Sequence, residues 1–327
     1  VTYGKRAHLL VQVLSAAQRQ GAAGAVVIDN GAEDPVAPIL AARFGGWAHV
    51  EHLGANRGSA LGFKTGIATA VARGAEFLLL LDDDNVLAPD CLPKLCRHWS
   101  ARLAAGEKPD SFAVHAVRPG TDTSEAAARL HIDEPRRGSF LGFHVADIPF
   151  KLARRIAPGL LRTRTESQPD ATDVSIAPYG GMLFHRDVIT RIGLPDEAFF
   201  LYVDDYEFAA RLTARDGKIH MVRDAVIHDI DTTWGSAKNT PRSALFTGRL
   251  ELQNFSKLYY ATRNLTYFEY HIRSPHSALY LLNSIVFMSI LTIMAIKGHR
   301  LPQYRTMLRA MQDGRRKSLG INQAYQL

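Results

Sequence analysis

Three consecutive carboxylates, Asp82, Asp83 and Asp84, follow directly on the apolar run Phe77 to Leu81, and a second acidic group, Asp204, Asp205 and Glu207, precedes the apolar positions Phe208 and Leu212. Acids at successive positions repel one another, and a hard divalent cation such as Mg²⁺ or Mn²⁺ relieves that repulsion through oxygen ligands. The alternate acids Asp82 and Asp84 are placed to share one such ion, directly or through water. A solvated acidic turn accommodates the same residues, and acids also favour the first turn of a helix, which is a sufficient reason for the second group to stand before the helix Tyr206 to Arg215. A further acid, Asp29, closes the apolar run Ala25 to Ile28 and opens Asp29-Asn30-Gly31, a combination that also makes a tight turn.

The elements around these acids give the fold class. A helix-like stretch through Leu9, Leu10, Val13, Leu14 and Ala17 leads into the strand Ala25 to Ile28. A short strand near His49 to His52, the loop Asn56-Arg57-Gly58-Ser59, a helix from about Ala60 to Arg73 and the strand Phe77 to Leu81 repeat the alternation. Short, continuously apolar strands alternating with helices predict an α/β fold, with a mostly parallel central sheet covered by helices on both faces. Ligands of open α/β sheets bind beyond the carboxyl ends of the strands, so Asp29 and Asp82 to Asp84 are expected to face one crevice. A strand entered through Tyr179-Gly180-Gly181, the segment Phe199 to Glu207 and the runs Ile219 to Val222 and Ala225 to His228 complete this domain, placed at 1–232.

The ordered series resembles glycosyltransferase family 2, whose members have the GT-A fold. Leu80-Leu81-Asp82-Asp83-Asp84 is similar to the family's DxD element, Val1 to Arg6 to its opening VTYNR, Val26 to Gly31 to its VVDNGS, and Asn56 to Gly62 to its NxGxxxG segment. Tyr202 to Glu207 is similar to the acidic element before the last helix of the catalytic domain, and His228 to the histidine that follows it. Gly4 departs from the usual Asn. The chain opens at Val1-Thr2-Tyr3 without an initiating Met or a signal-peptide pattern, so the start of strand one is expected to lie upstream.

The resemblance implies roles residue by residue. Thr2, Tyr3, Lys5, Asp29, Asn56, Arg57, Asp82 and Asp83 would bind the nucleotide-sugar, with Asp29 accepting from the base's ring N–H. Asp82, Asp84 and His228 would hold Mn²⁺ or Mg²⁺, which neutralises the leaving diphosphate as a Lewis acid. Asp205 would be the base that takes the acceptor's proton in a single inverting displacement. Asp204 and Glu207 would orient the acceptor or fix the base, with Gly180 on the acceptor side; Tyr179 and Trp234 are candidates for stacking on sugar or acceptor, and equally for packing. Bacterial galactofuranosyl- and rhamnosyltransferases are the similar subgroup, through Phe199 to Asp205 and Tyr260-Ala261-Thr262-Arg263-Asn264. They imply UDP-galactofuranose or dTDP-rhamnose as donor, a glycan or polyprenyl-linked acceptor, and work at the cytoplasmic face of the membrane. Nucleotidyl transfer and a non-catalytic nucleotide-sugar-binding module are the competing readings.

The remainder is less regular. Residues 118–178 are rich in Pro, Gly and Arg and are expected to form a variable, acceptor-side segment, within which Phe150 to Ile156 has the pattern of a basic amphipathic helix. Residues 233–327 are expected to be mainly helical, with an uncharged stretch from Ser277 to Ile296 that approaches the ~20 residues of a membrane span. Its Ser, Thr and Asn residues favour a helix buried in the protein, in an oligomer contact or in a membrane interface. The formal charge of +7 across 327 residues favours anionic partners, yet no nucleic-acid recognition motif accompanies it. The two cysteines, Cys91 and Cys96, fit structural thiols in a reducing cytoplasm.

Overall fold

A computed structural model describes residues 1–118, 136–149, 170–231, 249–275 and 277–326. Trp234 and the Phe150 to Ile156 segment lie outside the described residues. The chain forms two compact units, the first containing residues 1–118, 170–200 and 204–231, the second residues 136–149, 201–203, 249–275 and 277–326. The described part of the irregular 118–178 region is therefore divided, with 136–149 belonging to the unit of the C-terminal helices.

The first unit has two sheets. β1 (Thr2–Gly4), β2 (Ala25–Ala32) and β3 (Ala48–His52) pair in parallel in that order. The helix α1 (Ala7–Arg19) buries Leu9, Leu10, Val13, Leu14, Ala16 and Ala17, the 3.6-residue face legible in the sequence. Leu10 and Leu14 pack with Val27 of β2 and with Val36, Leu40 and Phe44 of α2 (Val36–Phe44). Burying such side chains contributes about 1.5–3 kcal/mol each. Asp29 sits within β2 rather than beyond it, because the strand continues to Ala32.

The second sheet runs β4 (Phe77–Leu80), β8 (Met182–His185), β6 (Phe112–Val117), β9 (Lys218–Asp229), β5 (Asn85–Leu87), with β7 (Ala171–Val174) also on β9. All residues of β6 are buried, as a central strand covered on both faces requires. β6 and β9 are parallel, whereas β8 runs antiparallel to both β4 and β6, and β5 and β7 run antiparallel to β9. The expected parallel pairing thus occupies β1–β2–β3 and β6–β9. Helices α3 (Gly58–Ala72), α4 (Cys91–Ala104), α5 (Asp187–Ile192) and α6 (Asp204–Thr213) cover the sheets. Phe63 and Ile67 of α3 and Phe208 and Leu212 of α6 meet Leu78, Leu80, Met182 and Phe184 in the largest core.

In the second unit α7 (Phe255–Tyr267) runs into a π-helical turn at Phe268–Arg273, followed by α8 (Ala278–Lys297) and α9 (Leu301–Arg315). Gly314 lets α9 approach α7, since a Cβ there would lie 2.4 Å from the Arg263 carbonyl oxygen. Phe140, Phe143, Leu258, Tyr280, Phe287, Leu291 and Met307 form the core. The loop at 138–145 is tied down by buried polar side chains. The Glu269 carboxylate accepts from Leu141 N at 2.6 Å and Gly142 N at 3.0 Å, and Asn283 bonds Gly138 O at 2.7 Å and Val145 N at 2.9 Å.

Candidate active site

Asp29 lies within β2 and Asp82 to Asp84 follow β4, each beside a locally organised loop. Asp29 accepts from Ala32 N at 2.8 Å through Oδ1, and its Oδ2 lies 2.8 Å from His52 Nδ1. Its neighbour Asn30, 3% exposed, holds the next loop: its amide bonds Gly58 O at 3.1 Å and Asn56 Oδ1 at 3.3 Å, and its carbonyl oxygen accepts from Arg57 N at 2.7 Å. Asn56 Oδ1 then accepts from Gly58 N at 3.0 Å. Arg57 remains exposed at the loop tip. Gly58 adopts a φ of +82°, and a Cβ there would lie 2.0 Å from the Phe200 carbonyl oxygen, so only glycine fits.

Asn85 organises the triple-acid turn. Its buried side chain donates to Asp84 Oδ1 at 3.1 Å and Asp229 Oδ1 at 2.8 Å, and its own Oδ1 accepts from Asp82 N at 3.2 Å and from Arg118 Nη2 at 3.1 Å. Arg118 Nε lies 3.3 Å from Asp229, and its Nη2 4.0 Å from Asp82. Gly180 is packed against this arrangement, since a Cβ would meet Asn85 Oδ1 at 2.0 Å and Arg118 Nη2 at 2.5 Å. Burial raises the Asp82 carboxyl above the ordinary carboxylate range, opposed by Arg118 and reinforced by Asp83 and Asp229. Burial likewise pushes Asp84 up to about 6, with further repulsion from Asp82 and Asp83. Arg6 meets the same turn from the loop before α1, bonding Asp83, Asp84 and Asp231.

Asp205 opens α6 half-buried, with Tyr206 N donating to its Oδ1 at 2.8 Å. Burial pushes its pKa up to about 7; the Tyr206 N–H lowers it, Asp82 raises it and Arg118 lowers it. Asp82 of the triple-acid turn and Arg118 thus act on Asp205 electrostatically, with opposite signs. Backbone strain precedes it. Phe200, Tyr202 and Val203 have φ of 65°, 67° and 66°, a region costly for non-glycine residues and most of all for a β-branched one. Asp204 points inward, 2% exposed, and accepts from Ser59 Oγ at 3.1 Å; Glu207 is 8% exposed and pairs with Arg211 Nε at 2.9 Å.

Not every predicted residue joins the site. Thr2 is fully buried, its hydroxyl without a hydrogen-bond partner among the described residues. Tyr3 is partly exposed, its ring 5.3 Å from the Arg6 guanidinium, and Lys5 is a surface residue paired with Glu33 at 3.5 Å. Tyr179 is a core residue, its ring 4.2 Å from Phe63 and 5.8 Å from Phe208, so it packs rather than presenting a face to a sugar. His228 is exposed, and Asp229 is the residue of β9 that meets Asn85 and Arg118. Successive residues of a strand point to opposite faces, so one position of register exchanges the two. Among the described residues no three His, Cys, Asp or Glu side chains are grouped as a metal site. Sequence reasoning missed Asn30, Asn85 and Arg118 as parts of the site. The asparagines stand beside the predicted acids; Arg118 carries no local signal.

This geometry can be set beside known proteins. Residues 1–192 match the sequence profile of Glycosyl transferase family 2. Galactofuranosyltransferase GlfT1 of Mycobacterium tuberculosis, in strains CDC 1551 / Oshkosh and H37Rv, is 29% identical over 194 residues, a match that covers 57% of this chain and 54% of the relative. The chain therefore spans about half the length of those relatives. The crystal structure of S. aureus TarS 1-349 superposes with a TM-score of 0.50 at 13% identity, covering 96% of this chain and 78% of that one. The fold is GT-A, and the chain belongs to glycosyl transferase family 2.

Proposed function

We propose that this chain transfers a sugar from a nucleoside-diphosphate donor to the hydroxyl of a glycan or polyprenyl-linked acceptor, by one inverting displacement with Asp205 as base. The observation that carries it is Asp205, half-buried in the first turn of α6 and bonded only within that turn, with Asp82 and Arg118 acting on it and its carboxyl pushed up to about 7. A base poised near neutral pH accepts a hydroxyl proton as attack proceeds, a contribution typically worth 10²–10⁴-fold. UDP-galactofuranose is the favoured donor, in line with the name of the similar mycobacterial relatives, and dTDP-rhamnose is the second candidate. Asp29 and the Asn56–Gly58 loop are assigned to the nucleoside and ribose, Asp82 and Arg118 to the diphosphate side.

Oxygen donors at Asp82 and Asp84, both raised by burial and by repulsion from neighbouring acids, suit Mg²⁺ or Mn²⁺, with Asp229 close by. Among the described residues no three such ligands are grouped there, and the proposed ion would take its remaining ligands from phosphates and water. Bound there, the ion supplies Lewis-acid neutralisation of the departing diphosphate. Nucleotidyl transfer gains no support from Lys5, which pairs with Glu33 at the surface. Incubation with UDP-galactofuranose, dTDP-rhamnose and a lipid-linked acceptor, followed by product analysis, tests the proposal. Transfer from one donor that is lost in Asp205→Asn supports it; nucleotide binding without transfer from any donor would leave a binding module.

Peripheral attachment to the inner face of the cytoplasmic membrane is part of the same proposal. Helix α8 is long and apolar enough to cross a membrane, yet it buries Tyr280, Asn283, Phe287 and Leu291 against its own unit while leaving Leu281, Leu282, Ile285, Ile293 and Ile296 exposed. Exposed Arg305, Arg309, Arg315, Arg316 and Lys317 on and after α9 supply the charge an anionic surface attracts. Flotation with phosphatidylglycerol vesicles that is lost in Leu281→Glu/Ile285→Glu supports attachment. Self-association seen by light scattering without flotation would assign the face to a second copy instead.

A further inference from the structure

Arg6 is drawn into the first unit by carboxylates far away in sequence. Its Nε bonds Asp83 Oδ1 at 2.9 Å and Oδ2 at 3.0 Å, its Nη2 lies 3.0 Å from Asp84 Oδ2, and its Nη1 bonds Asp231. A guanidinium presents its donors in a planar fork and stays charged at any ordinary pH, so it is an effective permanent counter-ion for several carboxylates at once. The acids it holds are not equivalent. The side chains of Asp83 and Asp231 are 4% and 5% exposed, that of Asp84 is 16% exposed, and that of Asp82 is 44% exposed. Arg6 grips the two inner acids, touches Asp84 through one nitrogen, and leaves Asp82 to Arg118 at 4.0 Å.

We propose that Arg6 is the resident cation of this acidic site and sets its divalent-metal affinity, holding Asp84 in place until a metal ion takes that carboxylate from it. The inference rests on the reading of Asp82 and Asp84 as metal-holding residues. Asp83 and Asp231 keep the guanidinium anchored, so Arg6 need release only one bond. The free protein then carries its acids compensated, and the energy of breaking the Arg6–Asp84 contact is subtracted from metal binding. A metal ion accompanied by a nucleoside diphosphate would bring additional ligands that offset that deficit, whereas the ion alone would bind weakly. Arg6 is in this sense a positioning residue that discriminates against binding of the free ion.

The test is titration of Mn²⁺ alone, followed by electron paramagnetic resonance and by thermal melting, on the wild type, Arg6→Lys and Arg6→Met. Lysine keeps the charge but serves one acid at a time, and methionine keeps only the apolar stem. The expected order of Mn²⁺ affinity is Met above Lys above wild type, with at least a tenfold span. Melting of Arg6→Met should fall without metal and recover with Mn²⁺, while the wild type barely responds. If Arg6→Met does not fold without metal, the comparison of Arg6→Lys with wild type decides alone. Equal or weaker Mn²⁺ binding in Arg6→Lys overturns the proposal. A parallel arm with Mn²⁺ plus UDP keeps the functional reading separate: failure of the wild type to bind UDP speaks against glycosyl transfer, while the Arg6 claim is read from Mn²⁺ alone.

Discussion

Asp205 in the first unit and Glu269 in the second are both carboxyls that burial pushes up to about 7, yet their surroundings differ in kind. Glu269 is 2% exposed and its two oxygens are taken by the backbone N–H groups of Leu141 and Gly142. It is a structural tie for a loop with no ladder of its own. Asp205 is half-buried and its carboxyl is bonded by N–H groups of its own helix turn, those of Tyr206 and of Asp205 itself, while Asp82 and Arg118 act on it through space. A perturbed pKa therefore does not by itself mark a functional acid. What separates the two is where the bonds lead: Glu269 ties down a loop distant in sequence, and Asp205 is bonded within its own turn.

Substitutions at the two acids should separate activity from stability. Asp205→Asn is expected to lower kcat by about 10²–10⁴-fold while leaving nucleotide-sugar affinity nearly unchanged, because it removes the proton acceptor and not the donor site. Single-turnover transfer alongside calorimetry reads both. The folded-state pKa of Asp205 lies above its unfolded value, so its contribution to stability is full below about pH 4 and is lost as pH rises through about 7. Asp205→Asn should accordingly melt no lower than the wild type at pH 8. A large fall in melting temperature there would make Asp205 a structural residue like Glu269.

Glu269→Ala should do the reverse. It leaves the buried Leu141 N–H without an acceptor, at about 1–3 kcal/mol, and removes the bond from the more exposed Gly142 N–H, so urea unfolding should report a loss of about 1–3 kcal/mol. UDP affinity measured under folding conditions should not change. Asp84→Ala should weaken metal-dependent nucleotide binding by about tenfold, close to 1.4 kcal/mol, with smaller effect on binding without metal. The smallest effect is in pH dependence. Ionised Asp205 is the active form, so kcat/KM should rise with pH through a midpoint near 7 and level off above it, and saturating divalent cation should move that midpoint downward by screening Asp82. A falling limb through pH 7 would contradict the base assignment.

Much of this arrangement is legible in the sequence because it is local. The acids at the ends of β2 and β4 follow apolar runs directly, and the face of α1 is set by its own periodicity. Strand direction is not local: Met182 to His185 reads as a buried strand in either sense, and only its partners make β8 antiparallel. His228 and Asp229 differ by a single step of register, which no spacing argument resolves. Arg6 bonds acids 77, 78 and 225 positions away, a relation that only the folded chain reveals. Tyr179 was a candidate for stacking because of its type, and its burial beside Phe63 and Phe208 follows from the hydrophobic payload of the same ring.

The most direct test of the central claim is calorimetric titration of the purified protein with UDP, dTDP and GDP, each with and without Mn²⁺. A nucleotide-diphosphate transferase with the site described here should bind one of them tightly only when Mn²⁺ is present. Absence of binding to all three, in protein shown to be folded, would contradict the account and leave Asp82 to Asp84 as a structural turn held by Arg6, Asn85 and Arg118.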